Sequence, residues 1–243
     1  MIMEYREYKE LLYSAFKKNG CSELLCDESA DKLYKFASIL VETNKSFNLT
    51  AITDEKEVIL KHFVDCASIV KHIPPNATLI DVGCGAGFPS LPIAILRNDI
   101  CVTSLDSTTK KVDFINRTAK ELDLENIIAT SARAEDFAKQ NRERFDVAIS
   151  RAVARLNILD ELCLPLVKVG GLFIAMKSSR GEVELAEAKV GIEKLGGQLT
   201  ATEKETLLLD ELSIERETYI FEKLRPTPTQ YPRNYSQIAK KPL

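Results

Sequence analysis

The residues whose types and spacing best suit chemistry form a glycine turn. Gly83, Gly85 and Gly87 alternate along the chain, after a short apolar run and before a helical pattern that begins near Pro89. A buried strand, a glycine turn and a helix are typical of the nucleotide site in an open α/β sheet. Glycine allows a sharp turn and lets a ligand approach the backbone without a Cβ in the way. The sequence therefore predicts a nucleotide-binding turn here.

The side chains around this turn indicate what kind of nucleotide binds. Phe88 stands where the dinucleotide motif G-x-G-x-x-G needs its last glycine, so a pyrophosphate fits poorly. Asp81 precedes the glycines, where its charge suits an ammonium or sulfonium group and repels phosphate. Asp106 ends the next predicted strand and can accept both hydroxyls of a ribose, or else cap the following helix. These features favour S-adenosylmethionine over a nicotinamide dinucleotide.

The chain before the turn is predicted to be wholly helical, because its apolar residues recur at helical spacing. Asp27 is expected to cap the second helix, and Thr53 or Asp54 to start the third. His62 lies on the apolar face of that third helix, which predicts a hydrogen-bonded core residue. His72, near the helix end, is expected to be a terminal cap.

From the turn onward, strand and helix patterns alternate. Gly170-Gly171 is expected to close the helix that follows the fourth strand. Five β-α units predict a doubly wound, mostly parallel α/β sheet with right-handed crossovers. The last two strands have no clear helix between them and should form an antiparallel pair, which makes seven strands. The predicted strands cover residues 79–82, 100–105, 127–130, 145–149, 172–176, 198–204 and 217–224.

Ligands of such a sheet bind outside the carboxyl ends of the strands, so the residues there are the candidates for a site. Arg151 is expected to contact the cofactor or the incoming base and, with RNA as the substrate, Lys177 to contact its phosphate. The arginines Arg133, Arg155 and Arg180 can extend a basic rim. Besides the glycine turn, the strand-end candidates are Asp106, Ala134, Glu135, Ser150, Arg151 and Lys177.

Features that are missing narrow the type of methyl transfer. Ser150-Arg151-Ala152-Val153 stands where enzymes that methylate exocyclic amines present Asn or Asp with prolines and an aromatic residue. Cys163 lies among leucines in a helix and is predicted to be core, which argues against a cysteine nucleophile. No histidine is placed at a strand end to act as a base. A ring nitrogen with a lone pair, such as guanine N7, needs only positioning and an in-line methyl donor.

These motifs together resemble those of the glucose-inhibited division protein B family, the guanine-N7 methyltransferases of 16S ribosomal RNA that use S-adenosylmethionine. The resemblance implies a Rossmann-like class I methyltransferase and a target in the decoding-region loop of the small subunit. It also implies that Gly83, Phe88, Ala134, Glu135 and Arg151 contact the cofactor, with Glu135 near the adenine. The stretches that carry the resemblance are Asn48–Thr53, Lys61–Asp65, Asp81–Pro89, Arg133–Asp136, Ile149–Ala152, Tyr231–Arg233 and Lys241–Leu243.

The composition bounds the class of protein. The formal net charge is −3 and six scattered cysteines form no C-x-x-C pair, which favours a reducing cytoplasm and argues against a metal site. The start of the chain is charged, and no apolar run is long enough for a membrane helix. Residues 225–243 carry four basic residues, no acidic one, and two tyrosines. Such a tail either binds RNA or lies as a strap across the sheet.

We therefore expect three regions: N-terminal helices (1–75), an S-adenosylmethionine-dependent methyltransferase domain (76–224) and a basic tail (225–243). The expected partner is 16S ribosomal RNA or the small ribosomal subunit, with no membrane and no metal. Two rival functions stay open. One is an NAD-dependent oxidoreductase, and the other is an RNA-binding module that keeps a vestigial cofactor fold.

Overall fold

A computed structural model describes residues 3–151, 153–178 and 181–243. These residues form a seven-stranded sheet of order β3-β2-β1-β4-β5-β7-β6. The first five strands are parallel, whereas β7 runs antiparallel to both β5 and β6. The predicted fold class is confirmed. The strands are β1 Thr78–Val82, β2 Cys101–Asp106, β3 Ile127–Ser131, β4 Phe145–Arg151, β5 Val167–Lys177, β6 Gly197–Leu209 and β7 Leu212–Lys223.

Helices cover both faces of the sheet. Side chains of β1 alternate, so that Ile80 packs with Leu159 and Ile192 on one face while Leu79 packs with Ile93 on the other. A π-helical turn, Ile59–Val64, joins α3 to α4. The helices are α1 Tyr5–Lys18, α2 Asp27–Asn44, α3 Glu55–Val58, α4 Asp65–Ser68, α5 Ser90–Leu96, α6 Thr109–Glu121, α7 Ala134–Gln140, α8 Leu156–Cys163, α9 Gly181–Lys194 and α10 Tyr235–Lys240.

The N-terminal helices pack onto the sheet through one apolar cluster. Tyr8, Phe36 and Phe63 belong to this cluster together with Phe88 of the glycine turn and Leu207 of β6. Each fully buried large side chain stabilises the fold by roughly 1.5–3 kcal/mol relative to an exposed one. The helical region therefore fixes the position of the turn as well as its own fold.

The starts of two helices test the capping predictions. Asp54 caps α3, because its side chain accepts a hydrogen bond from the Glu57 amide at 3.0 Å. Asp27 is the first residue of α2 rather than its cap, and Cys26 takes the capping position. The Asp27 carboxylate instead accepts hydrogen bonds from Lys9 and Tyr13 of α1. The Asp27 side chain thus binds residues of another helix instead of capping its own helix.

Three other local predictions were wrong. Gly170 and Gly171 lie inside β5, because α8 has already ended in the short turn that contains Pro165. His72 does not cap its helix; its Nε2 lies 3.0 Å from the Glu203 carboxylate. Strands β6 and β7 are longer than predicted, because a tight turn at Asp210, where φ is +49°, joins them directly.

The tail packs against the methyltransferase-like sheet region. Tyr231 and Ile238 are buried in the same cluster as residues of α8. Arg233 donates from its backbone amide, Nε and Nη2 to the fully buried carboxylate of Glu161, at 2.6–3.1 Å. Arg142 donates to the Tyr231 carbonyl at 2.6 Å. These contacts support the strap alternative, with Ile238 buried as that alternative predicts, although only Thr227, Tyr231, Pro232 and Ile238 of the tail's described residues are buried.

Candidate cofactor and substrate site

A cavity of about 470 Å³ opens at the carboxyl ends of the central strands. We call it the first cavity. Its walls are the glycine turn after β1, the ends of β2, β3 and β4, Leu49 to Thr50 with His62 from the N-terminal region, and Tyr235 from the tail. The predicted residues that line it are Gly83, Gly85, Phe88, Asp106, Ala134, Glu135 and Arg151. Local sequence patterns and the family resemblance thus indicated seven of the residues that line this cavity.

The three glycines of the turn have different roles. All three adopt positive φ, a region that favours glycine. A Cβ at Gly83 would clash with Val153, and one at Gly87 would clash with Leu91 of α5. Gly85 has no atom of any described residue within 4 Å of its Cβ position, so its open face borders the cavity. Gly87 is outside the cavity lining and serves the packing of α5.

Asp106 ties the glycine turn to the end of β2. Its Oδ2 accepts the Gly85 amide hydrogen at 3.1 Å, and its Oδ1 accepts that of Thr108 at 2.8 Å. Asp106 does not itself cap α6, because Thr108 holds the capping position, and the predicted ribose contact stays a prediction. A carboxylate offers about four acceptor positions, so capacity remains for ligand hydroxyls.

Asp81 lies beneath the turn and does not line the first cavity. Its Oδ2 accepts the Ser90 amide hydrogen at 3.2 Å, at the start of α5. Its Oδ1 accepts no hydrogen bond from the described residues. Burial raises the pKa of this carboxyl to about 7. Asp81 was predicted to lie beside the positive charges of a ligand. The structure instead places its side chain against α5, because side chains alternate between the two faces along β1.

One wall of the first cavity is a group of three side chains, His62, Phe88 and Arg151. The ring of His62 stacks on Phe88 with centroids 4.1 Å apart, and the Arg151 guanidinium lies 5.4 Å from the centroid of the Phe88 ring. Arg151 also donates to the Lys61 carbonyl at 2.9 Å and to Asp65 Oδ2 at 2.9 Å. Three different contacts therefore immobilise this arginine.

His62 is buried and hydrogen-bonded, as predicted, and it also lines the site. Its Nδ1 lies 3.2 Å from Arg151 Nη2, so Nδ1 accepts and Nε2 carries the proton toward Thr50 Oγ1 at 3.3 Å. Burial, with the nearby Arg151 charge, lowers its pKa to about 3. The ring is therefore neutral near pH 7, and it is a weak base.

A second cavity of about 520 Å³ shares His62, Arg151 and Val153 with the first. Lys177 lines this second cavity and not the first. Its Nζ donates to the Ala154 carbonyl at 2.7 Å and pairs with Glu184 of α9 at 2.8 Å. The predicted phosphate contact by Lys177 is therefore not supported, because an acidic residue near the start of α9 already pairs with it.

Of the remaining candidates, one arginine lines each cavity and Ser150 lines neither. Arg133 lines the first, with its guanidinium 5.8 Å from the centroid of the Tyr235 ring. Arg155 lines the second. The buried Ser150 hydroxyl donates to the Val82 carbonyl at 2.8 Å and has a structural role. Ala152 and Arg180 lie outside the described residues.

Sequence reasoning missed Asp65 and Thr50. Asp65 is almost fully buried, and its second oxygen, Oδ1, accepts from Arg216 Nε at 2.8 Å. A signal was available, because a carboxylate on the apolar face of a helix, three residues after His62, is rarely buried without a cation as partner. Its two arginine partners lie on β4 and β7, which no local pattern indicates.

Within ranges 3–151, 153–178 and 181–243, no helix is long and apolar enough to span a membrane. In the same ranges, no group of three or more His, Cys, Asp or Glu side chains is arranged to hold a metal ion. Cys163 is buried in the core, as predicted, and burial raises its thiol pKa.

The strand order and the glycine turn at the carboxyl end of β1 define a Rossmann-like methyltransferase fold. The structure is similar to that of M. jannaschii TYW2 in complex with AdoMet, with a TM-score of 0.53 and 16% identity over 66% of this chain and 75% of that one. The P. horikoshii TYW2 structure in complex with MeSAdo also gives a TM-score of 0.53, at 14% identity over 65% of this chain and 60% of that one.

Similarity of sequence identifies the family of this chain, whereas similarity of structure shows only its fold. The GidB family model, described as rRNA small subunit methyltransferase G, matches residues 29–208. The Ribosomal RNA small subunit methyltransferase G of Staphylococcus carnosus is 46% identical, over 90% of this chain and 92% of its own length. The protein of the same name from Clostridium botulinum (strain Kyoto / Type A2) is 43% identical over 89% and 92%. The chain belongs to the GidB family.

Proposed function

We propose that the protein transfers a methyl group from S-adenosylmethionine to N7 of a guanine in 16S ribosomal RNA, in the decoding-region loop. The observation that carries this proposal is the first cavity, where a glycine turn and two strand-end acids meet the wall of Arg151 and Phe88. The names of the relatives support the RNA class. A cytoplasmic location follows from that substrate.

The residues of the first cavity fit an adenosine-bearing cofactor. The open face at Gly85 leaves room for a ligand against the backbone, and Asp106 can accept ribose hydroxyls. Ala134 and Glu135 begin α7 beside the end of β3, where an adenine would lie. Asp81 is fully buried outside this cavity, and its unsatisfied Oδ1 fits a buried water molecule better than a group of the cofactor. When bound, the cofactor supplies an electrophilic methyl group on a positively charged sulfur.

The number of protons that the acceptor must lose during methylation favours a ring nitrogen over an exocyclic amine. Guanine N7 has a lone pair and no hydrogen, so its methylation requires no base. His62 is the histidine of the first cavity, and its low pKa and occupied nitrogens make it unsuited to take a proton. Methylation of an exocyclic amine requires the loss of a proton. The site therefore favours a ring nitrogen, with catalysis by positioning.

The test is transfer of a radiolabelled methyl group from S-adenosylmethionine to 16S ribosomal RNA from a strain that lacks this gene. Naked RNA and isolated small subunits are compared as substrates, and the modified base is mapped. Label at N7 of one guanine in the decoding-region loop is the expected result. Label at an exocyclic amine or a cytosine would refute the proposal. Cofactor binding without transfer to either substrate would favour an RNA-binding module.

A further inference from the structure

The second cavity adjoins the first across the wall of His62 and Arg151. A group bound in one cavity therefore lies next to a group bound in the other. Methyl transfer needs the two reactants in direct contact, so they must meet at the edge where His62, Arg151 and Val153 border both cavities, not across those side chains. The first cavity has the features of a nucleoside cofactor site, so the second is available for the methyl acceptor.

The charges that line the second cavity indicate an anionic ligand. Among the described residues, its lining contains five basic side chains and two acidic ones. The lining of the first cavity contains three basic and two acidic side chains. Lys61, Arg155 and Lys177 each pair with one acid, namely Glu57, Glu187 and Glu184, so the excess positive charge of the second cavity lies on Arg151 and Arg216, which share Asp65. A nucleotide within RNA carries phosphate on both sides and would be drawn to these two arginines. The basic residues of the second cavity are Lys61, Arg151, Arg155, Lys177 and Arg216.

Asp65 holds two of these cations in place. Its Oδ2 accepts from Arg151 and its Oδ1 from Arg216, both within 2.9 Å. One carboxylate cannot neutralise two guanidinium groups, so a positive charge remains after both are fixed. Holding an arginine rigidly reduces the entropy lost when it binds a ligand.

Both arginines keep donors for a ligand. Arg151 uses two hydrogens of Nη1 and one of Nη2 on protein acceptors, out of five N–H donors. Arg216 uses Nε and one hydrogen of Nη1 on acceptors among the described residues. Its side chain is partly exposed, at 23%. Two donors on Arg151 and three on Arg216 therefore have no described protein acceptor.

We propose that the second cavity binds the guanosine phosphate unit of the RNA substrate, with Arg216 on a backbone phosphate and Arg151 on guanine O6. This inference rests on the proposed function and adds the acceptor site to it. Beside N7, guanine presents the O6 acceptor, whereas adenine presents an amino donor. Arginine can only donate, so Arg151 accepts guanine and rejects adenine. A contact at O6 also leaves the N7 lone pair unoccupied for methylation.

The first experiment uses Arg216→Met, which removes the charge and keeps much of the side-chain volume. We expect KM for 16S ribosomal RNA to rise about tenfold and the salt dependence of RNA binding to decrease by about one unit of slope. Calorimetric affinity for S-adenosylmethionine should stay the same. The matched control is Arg6→Met on α1, since Arg6 is 91% exposed and lies outside both cavities. It should change neither parameter.

The outcomes separate this inference from the proposed function. If the wild-type protein methylates RNA but Arg216→Met has an unchanged KM and salt slope, the acceptor site is elsewhere and the proposed function stands. If Arg216→Met weakens cofactor binding instead, the second cavity belongs to the cofactor site. If the wild-type protein transfers no methyl group to RNA, the proposed function fails and this inference fails with it.

Base selection by Arg151 is tested separately, with short RNA substrates. Replacing the target guanosine by 6-thioguanosine or 2-aminopurine riboside weakens or removes the O6 acceptor while N7 remains. We expect transfer by the wild-type protein to fall about tenfold or more with 2-aminopurine, and less with the thio analogue. Equal transfer to guanosine and 2-aminopurine would show that Arg151 does not read O6.

Discussion

The two cavities are built in different ways, although they share a wall. The first is made mainly of short local motifs at strand ends: the glycine turn, Asp106 and Glu135. The second is made of charged side chains from distant parts of the chain, joined through Asp65. Backbone turns and carboxylates suit a nucleoside with hydroxyl groups, whereas paired arginines suit phosphate. A cofactor site can thus be local, while a site for a polyanion needs charges gathered by the fold.

The largest effect is expected from Asp65→Asn. It leaves two arginines without their carboxylate, which should cost roughly 3–5 kcal/mol of stability and most of the transfer to RNA. Glu161→Gln is the matched control, because Glu161 is equally buried, pairs with Arg233 and lies outside both cavities. Denaturant unfolding should show losses for both variants, and only Asp65→Asn should raise KM for RNA. Equal kinetics in the two variants would remove Asp65 from the second cavity.

The tail is expected to have separable structural and RNA-binding parts. Arg233→Met should cost about 3 kcal/mol of stability, because the buried Glu161 carboxylate loses its cationic partner and keeps only the backbone amide of residue 233 as a donor. The double variant Lys240→Gln, Lys241→Gln should retain wild-type stability, since both side chains are exposed. Thermal unfolding and the salt dependence of RNA binding are measured for both. If the lysine variant keeps the wild-type salt slope, the tail is a strap only.

A smaller effect is expected for the first cavity. Asp106→Ala should weaken S-adenosylmethionine binding by roughly 1–3 kcal/mol, because the ribose hydroxyls and the Gly85 amide lose a charged acceptor. Asp99→Ala is the control, since Asp99 also binds a backbone amide, that of Asn76, but lies outside both cavities. Calorimetry on folded variants that shows equal affinities would exclude Asp106 from the cofactor site.

The shared wall should be sensitive to acid. The pKa of His62 is lowered to about 3 in the folded protein, below its usual value of about 6.5 in the unfolded chain. Its contribution to stability is therefore complete above pH 6.5 and is lost at about 1.4 kcal/mol per pH unit below it. The free energy of unfolding of the wild type, measured between pH 7 and pH 5, should fall more steeply than that of His62→Gln. Parallel curves would contradict the buried neutral ring.

The smallest effect is expected from Cys163→Ala. The residue is fully buried in α8, so its replacement should cost about 1 kcal/mol of stability and leave methyl transfer intact. Single-turnover transfer to RNA and denaturant unfolding check this. A folded variant that binds the cofactor but transfers no methyl group would point to a covalent route through the thiol.

The sequence by itself determined the strands, the glycine turn and the strand-end carboxylate Asp106. These features depend on alternation of side chains along a strand and on backbone conformations that favour glycine, so a short window of sequence contains them. The carboxyl ends of the five parallel strands were predicted to within two residues, whereas the start of β5 was predicted five residues too late. Membership of the family also followed from motifs that are local stretches of sequence.

Only the tertiary structure decided which charges meet. Asp65 pairs with Arg216 across a sequence separation of 151 residues. Lys177 pairs with Glu184 instead of being free to contact phosphate as predicted. The tail is anchored by the buried Ile238 and by the Arg233–Glu161 pair, whereas its composition left a strap and an RNA-binding segment as open alternatives. Ion pairs and strap contacts depend on how distant elements approach one another, and a local pattern contains no record of that approach. The second cavity was therefore beyond sequence reasoning, while the first was within it.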